Sequence, residues 1–417
     1  MANDYGSSGE FRGWFRSCFK SCGRILHRLL HPGYEEERAR SDRILTKLAD
    51  KVGMQIRQLR SVERNLHKAQ TEARSLKWQT RYSNRLQTQL LKNSDLEAEH
   101  SLSEKRISLR GEKWLRGSGP IIVGPWTGEV GFELLYWVPF VRWLVTKFRL
   151  EPSRLVIVSR GGVSRWYGSL ARQYVDIFSL LTTDQFRVGT AQNPLKQRII
   201  SRFDKHLIRL ASRSIGLKRA SLLHPTLMYE LFNSYWKQKV TFNRIDAFKV
   251  YQQLPEAQES MLPKEFPDEF LAARFYFSKC FPDTGENRKF VAKVLEALSA
   301  HLPVVLLNTD FRSDDHRDFV PPKNDRIYVL SDHMRPENNL AVQTAVVSMA
   351  RTFVGTYGGY SYLAPLCGVD SLAFYSLKNF RQCHLDHAQH VFGSLGLASL
   401  VPLDVKKTGL VDLLIRE

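Results

Sequence analysis

The sequence predicts an α/β fold of two Rossmann-like domains preceded by a long N-terminal coiled-coil helix. Three observations predict it. Short apolar runs alternate with helix-length stretches from Gly117 onward, the alternation restarts near residue 265, and a polar stretch before Gly117 carries a heptad seam. A chain of 417 residues has room for two or three domains, and 43% hydrophobic content supplies their cores and excludes wholesale disorder.

The elements follow in order. Residues 1–33 read as a basic amphipathic segment: Phe11, Trp14, Phe15, Cys18, Phe19, Cys22, Ile25, Leu26, Leu29 and Leu30 share one helical face, opposite Arg12, Arg16, Lys20, Arg24 and Arg28. Aromatics facing arginines describe a helix lying in an anionic membrane surface; docking on its own protein is the alternative. Residues 34–116 form the stalk, with a seam at Leu45, Leu48, Val52, Gln55, Leu59, Val62, Leu66, Ala69, Ala73 and Leu76. Steps alternating three and four are a coiled-coil pattern, and a homodimer is favoured over a helix folded back on the core.

Residues 117–265 are the first Rossmann-like domain, with strands at Ile121–Val123 and Leu155–Val158 around a helix at Glu133–Phe148. Residues 190–260 are helix-rich and basic, with weak strand signals. Residues 266–417 repeat the alternation. Strands are expected at Leu271–Phe277, Val304–Leu307, Ile327–Leu330, Thr352–Gly355 and Ser371–Tyr375, and helices at Glu286–Ala300, Leu340–Ala350 and Ser361–Cys367. Such spacing means parallel sheets with right-handed crossovers, facing each other across a cleft.

A net charge of +19 calls for an anionic partner: lipid, nucleic acid or a phosphorylated substrate. Residues 1–116 hold 24 Lys and Arg against 14 Asp and Glu, so the first quarter is the more basic per residue. No RNA or DNA motif is present, and nucleic acid is not expected as a partner. Five cysteines without metal-ligand spacing point to a reducing compartment. Neither a secretory signal nor a membrane-spanning run is read, so the expected location is cytoplasmic, peripheral on the inner face of the membrane.

Ligands in open α/β sheets bind beyond the carboxyl ends of strands, and three such places stand out. The loop Gly124–Phe132 carries Glu129 and leads to Glu133 at a helix start. Either carboxylate is a candidate general base, Glu133 being favoured, with a helix-capping residue and a turn residue as the plain alternatives. The turn Gly355–Tyr362 offers Thr356, Gly358, Gly359, Tyr360 and Ser361 as a cradle for a phosphate or diphosphate at a helix N-terminus. It is neither a dinucleotide fingerprint nor a Walker loop. The third group is Arg274, able to fork onto a phosphate, Tyr276 on the same strand face, and Asp314-Asp315-His316 for a sugar or ribose. Two acids and a histidine in one row converge poorly on an ion, so no metal is expected.

The stretches GPWTGEVGFELLYWVPF, DDHRDF and NNLAVQTAVVSMARTFVGTYGGYSYLAPLCGVDSLAFYS resemble bacterial GT-B-type glycosyltransferases of surface-polysaccharide assembly, over roughly residues 118–405. The spacing from Glu133 to Pro139 is similar to that from acid to proline in heptosyltransferases. The resemblance implies metal-independent, inverting sugar transfer, with Glu133 as base and Gly358-Gly359 holding the donor diphosphate. Its partners would be a nucleotide-sugar, as co-substrate with no further cofactor, and a glycan or lipid-linked acceptor. The second acid, Glu129, departs from the family pattern and leaves the base open. Two rivals are a membrane scaffold with a nucleotide-sugar-sensing core and an enzyme acting on nucleic acid.

Overall fold

A computed structural model describes residues 96–192, 196–255, 266–311, 316–396 and 398–407. The segment at 1–33, the seam from Leu45 to Leu76 with its dimer, and Asp314 and Asp315 lie outside the described residues. The chain divides after Ser94, and the described residues belong to the unit from Asp95 onward.

Helix α1 (Leu96–Arg116), within the stretch read as stalk, packs on the first sheet's helices. Ile107 and Trp114 are buried in the core, His100 Nδ1 lies 3.2 Å from Ser234 Oγ, and Arg154 donates to the Trp114 carbonyl at 2.8 Å. The apolar side of α1 thus belongs to the core of the α/β unit.

The first sheet contains β1 (Ile121–Val123), β2 (Leu155–Ser159), β3 (Gln173–Asp176) and β4 (Ser221–Leu223). All pairings are parallel and the order is β3-β2-β1-β4. Between β1 and β2 the chain forms α2 (Val130–Phe132), a π-helical turn at Glu133–Trp137, and α3 (Val138–Lys147). The helix thus starts three residues earlier than the sequence predicts. Then come α4 (Ser164–Tyr167), α5 (Thr183–Ala191), α6 (Arg202–Ser214), α7 (Thr226–Trp236) and α8 (Phe242–Asp246). A capping box starts α6: Ser201 and Asp204 satisfy each other's backbone N–H.

The second sheet starts with β5 (Leu271–Arg274). The strand expected through Phe277 breaks there, and β6 (Tyr276–Phe277) instead pairs antiparallel with β8 (Arg317–Asp318). The order of appearance is α9 (Gly285–His301), β7 (Val304–Leu306), β8, β9 (Ile327–Val329), α10 (Asn339–Met349), β10 (Phe353–Thr356), α11 (Gly359–Leu366), β11 (Ser371–Tyr375), α12 (Gln382–Leu395) and β12 (Leu400–Asp404). The six-stranded sheet runs β9-β7-β5-β10-β11-β12, entirely parallel. Counted from its first strand this is the doubly wound order 3-2-1-4-5-6, and the first sheet shows the 3-2-1-4 part of it. Each sheet reverses direction of growth at one place: between β1 and β4, and between β5 and β10.

Strands buried on both faces need helices on both sides, and the cores show them. Val156, Val158 and Val175 pack with Phe186, Leu207 and Ala211 outside the first sheet. Val291, Val294 and Leu295 of α9 cover the outer face of the second. The inner faces share a third core running from Val123 and Ile157 to Ala272, Val305 and Phe353. The expected two-domain cleft is therefore a packed seam along much of its length. Trp166 Nε1 donates to Thr344 Oγ1 at 3.0 Å, Ala341 N to Gly161 O at 2.9 Å, and Leu254 N to Leu366 O at 2.8 Å across it.

Candidate active site at the facing sheet edges

Beyond β1 the chain turns through Gly124, whose φ of +117° and whose contact with the Val158 carbonyl exclude a side chain. The next residues are held from several directions. Trp126 N donates to Val158 O at 2.9 Å, and Arg160 Nη2 donates to Gly128 O at 2.6 Å. Thr127 N donates to Gln197 Oε1 at 3.0 Å, and Gln197 Nε2 reaches Pro125 O at 2.5 Å and Asp204 Oδ1 at 3.3 Å. A glycine loop anchored this way presents α2 at a fixed angle.

The two loop glutamates separate by exposure. Glu129 is the N-cap residue of α2 and is exposed. Glu133, four residues on, is fully buried. Its Oε1 accepts from Ser159 Oγ at 2.6 Å and Tyr167 OH at 2.8 Å, while Oε2 lies 3.4 Å from Arg160 Nη1. Burial pushes the Glu133 carboxyl up to about 7, against the opposing pull of Arg160, Ser159 and Tyr167. The sequence favours Glu133 as base; in the structure it is enclosed and engaged on both oxygens, whereas Glu129 stands at the surface of the loop. Beside this network Asp176, at the end of β3, accepts from Gly162 N at 2.7 Å, Tyr174 OH at 2.9 Å and Phe178 N at 2.9 Å. Burial raises its carboxyl to about 6. A cavity of about 250 Å³ opens on the far side of Tyr167, lined in part by Arg165, Arg172 and Tyr174.

At the second sheet's reversal point Arg274, Tyr276, Thr356, Gly358, Gly359, Tyr360, Ser361 and His316 come together, though with partners the sequence does not reveal. Arg274 forks onto a carboxylate: Nε and Nη2 meet Asp318 Oδ1 and Oδ2 at 3.1 and 3.2 Å. Its Nη1 donates to Gln343 Oε1 at 3.2 Å, and the guanidinium lies 4.4 Å from the Tyr360 ring centroid. Tyr360 OH donates to the same Gln343 oxygen. The two hydroxyls expected on the anion serve the backbone instead. Thr356 Oγ1 accepts from Tyr276 N and donates to Tyr276 O, both at 3.0 Å, which stitches β10 to β6. Ser361 Oγ accepts from Gly358 N at 3.1 Å and donates to Gly358 O at 2.7 Å, closing the first turn of α11. Tyr276 lies buried with its ring centroid 4.5 Å from that of His316. A side chain at Gly358 would overlap the Tyr276 hydroxyl.

The two helix tips touch. A Cβ on Gly131 would lie 2.9 Å from the Tyr362 ring and 3.2 Å from Gly359 Cα, and one on Gly359 would lie 2.9 Å from Gly131 N. Backbone meets backbone where α2 and α11 begin, so both positions exclude larger residues. This contact fills the space between the tips, with the Tyr276 hydroxyl beside Gly358. Sequence reasoning did not single out Ser159, Arg160, Tyr167, Asp176, Gln197 or Asp318. Buried polar residues just past a strand end, as in Ser159-Arg160, are the signal that marks them.

No protein-family profile matches the chain, and no curated protein matches it in sequence. By structure it is similar to the glycosyl transferase family 9 protein from Veillonella parvula, at 11% identity over 72% of this chain and 89% of that one, TM-score 0.38. It is also similar to the iron-containing dodecameric glycosyltransferase TibC from enterotoxigenic E. coli, at 11% identity over 61% of this chain and 59% of that one, TM-score 0.35. A third is the UDP-GlcNAc 2-epimerase from Methanocaldococcus jannaschii, at 10% identity over 72% and 92%, TM-score 0.33. Scores this low assign neither family nor activity.

Proposed function

We propose that the chain transfers a sugar from a nucleotide-sugar donor to a glycan or lipid-linked acceptor. The observation that carries this reading is the meeting of two strand-order reversals, one bearing an exposed glutamate and the other a helix N-terminus behind paired glycines. Reversal points at carboxyl edges of parallel sheets are where such folds take their ligands.

In the proposed reaction Glu129 accepts the acceptor hydroxyl's proton. The acceptor oxygen bonds to the anomeric carbon as the bond from that carbon to the phosphate oxygen breaks, and nucleoside diphosphate leaves. One displacement inverts the anomeric centre. The backbone N–H groups and dipole at the start of α11 face the diphosphate and stabilise its charge without a metal. Tyr276 and His316 flank the nucleoside. Arg274, held by Asp318, fixes Tyr360 rather than the phosphates, and Glu133 acts through Arg160 on the loop that carries Glu129.

A thermal-shift series with UDP-, GDP-, ADP- and CMP-sugars, followed by transfer assays with the protecting donor, tests the reading. One nucleotide class is expected to raise the melting temperature and to give up its sugar to an acceptor. No protection by any of them, or an isomerised nucleotide-sugar with nothing transferred, contradicts it.

A further inference from the structure

The most uneven charge among the described residues lies on α6. Residues 196–219 contain eight Lys and Arg and one acid, Asp204, which is buried. At helical spacing Arg202, Lys205, His206, Arg209 and Arg213 fall within one stripe, all exposed. Leu207 and Ala211, with Asp204, turn the opposite side into the outer core of the first sheet. Among the described residues none of Arg202, Lys205, Arg209 and Arg213 has an ion-pair partner. Four like charges on three turns repel one another, and among the described residues no acid pairs with them.

The surroundings of the stripe separate its possible partners. Gly189 of α5 abuts the Phe203 ring, so exposed Val188 flanks the first turn of α6, and exposed Ile200 stands just before its N-cap, Ser201. Apolar side chains beside a cationic row match a lipid headgroup layer, which takes both. A single-stranded nucleic acid is gripped by aromatic platforms. Here Phe203 is turned inward against Phe186, with ring centroids 6.0 Å apart. The segment leading into α6 reaches the candidate site: Gln197 holds the glycine loop at Pro125 and Thr127 and donates to Asp204 on the buried side of α6.

We infer that α6 is a membrane-docking face that seats the first sheet's loop edge on anionic lipid, so that the acceptor delivered to Glu129 is membrane-borne. The choice of acceptor rests on the transferase reading; the docking does not, and its test needs no turnover.

The test compares the full chain with a variant carrying Arg202→Glu, Lys205→Glu, Arg209→Glu and Arg213→Glu, and with the same four changed to Gln. Binding is measured to phosphatidylcholine vesicles and to vesicles in which about a third of the lipid is phosphatidylglycerol. The wild-type chain should prefer the anionic vesicles, with the Glu variant weakened about tenfold or more and the Gln variant in between. Contacts on one molecule multiply, so the ratio reads α6 even if residues 1–31 also bind. Equal partition of all three proteins at matched melting temperatures overturns the inference. So does loss of single-stranded oligonucleotide binding with vesicle binding unchanged.

Discussion

Replacing Glu129 by Gln should lower sugar transfer by about 10²–10⁴-fold, the range typical of a lost general base. The change is nearly isosteric at an exposed N-cap position where the side chain makes no capping hydrogen bond to the helix. Melting temperature and donor-induced protection should therefore stay close to wild type, and the loss should appear in kcat. This outcome separates Glu129 from Glu133, whose removal acts on the loop as a whole. Full turnover in the Glu129→Gln enzyme would remove Glu129 from the chemistry.

Glu133→Gln should change how stability depends on pH. The folded carboxyl titrates at about 7 against an ordinary value of 4.5. Between those values the folded state holds a proton that the unfolded state has released, so wild-type stability falls as pH rises through this window and is flat above it. The difference corresponds to about 3 kcal/mol. Gln carries no titrating proton, so its stability relative to wild type should improve by about 2–3 kcal/mol between about pH 5 and pH 8. Asp176, also raised, is present in both proteins, and its charge helps to raise Glu133, so the two carboxyls titrate together in the wild type and Asp176 titrates alone in the variant. Parallel stability curves across this range would show that Glu133 ionises in the folded protein at its ordinary value, and that burial does not raise it. The sign is opposite to that of a carboxylate stabilised by a salt bridge, so the two cases cannot be confused.

Much of the architecture is legible in the sequence because its central strands are apolar on both faces. Ile121–Val123, Leu155–Ser159 and Ser371–Tyr375 are found where short hydrophobic runs predict them. The less legible strands lie at sheet edges or are polar: β3 begins at an exposed Gln173, β4 at an exposed Ser221, and β12 contains Pro402. The strand from Leu271 breaks at Phe275 because Tyr276 pairs with Asp318, a partner more than 40 residues away that local pattern does not reveal.

The candidate site follows the same division. Glycines at Gly124, Gly358 and Gly359 are visible in the sequence, and each sits where a side chain would strike backbone or the Tyr276 hydroxyl. The fates of the polar groups are not visible. Thr356 and Ser361 are spent on backbone, Arg274 on Asp318, and Glu133 on Ser159 and Tyr167, because nonlocal partners decide which of several hydrogen bonds a side chain makes. Exposure distinguishes Glu129 from Glu133, and exposure is a property of the fold.

A crystal structure with the nucleoside diphosphate of the protecting donor tests the central claim most directly. The diphosphate should lie against the backbone of Gly358–Tyr360, its base beside Tyr276 and His316, with the Glu129 carboxylate facing the open side of the same crevice. A nucleotide bound at any other edge of either sheet, or Glu129 turned away from it, would contradict the account.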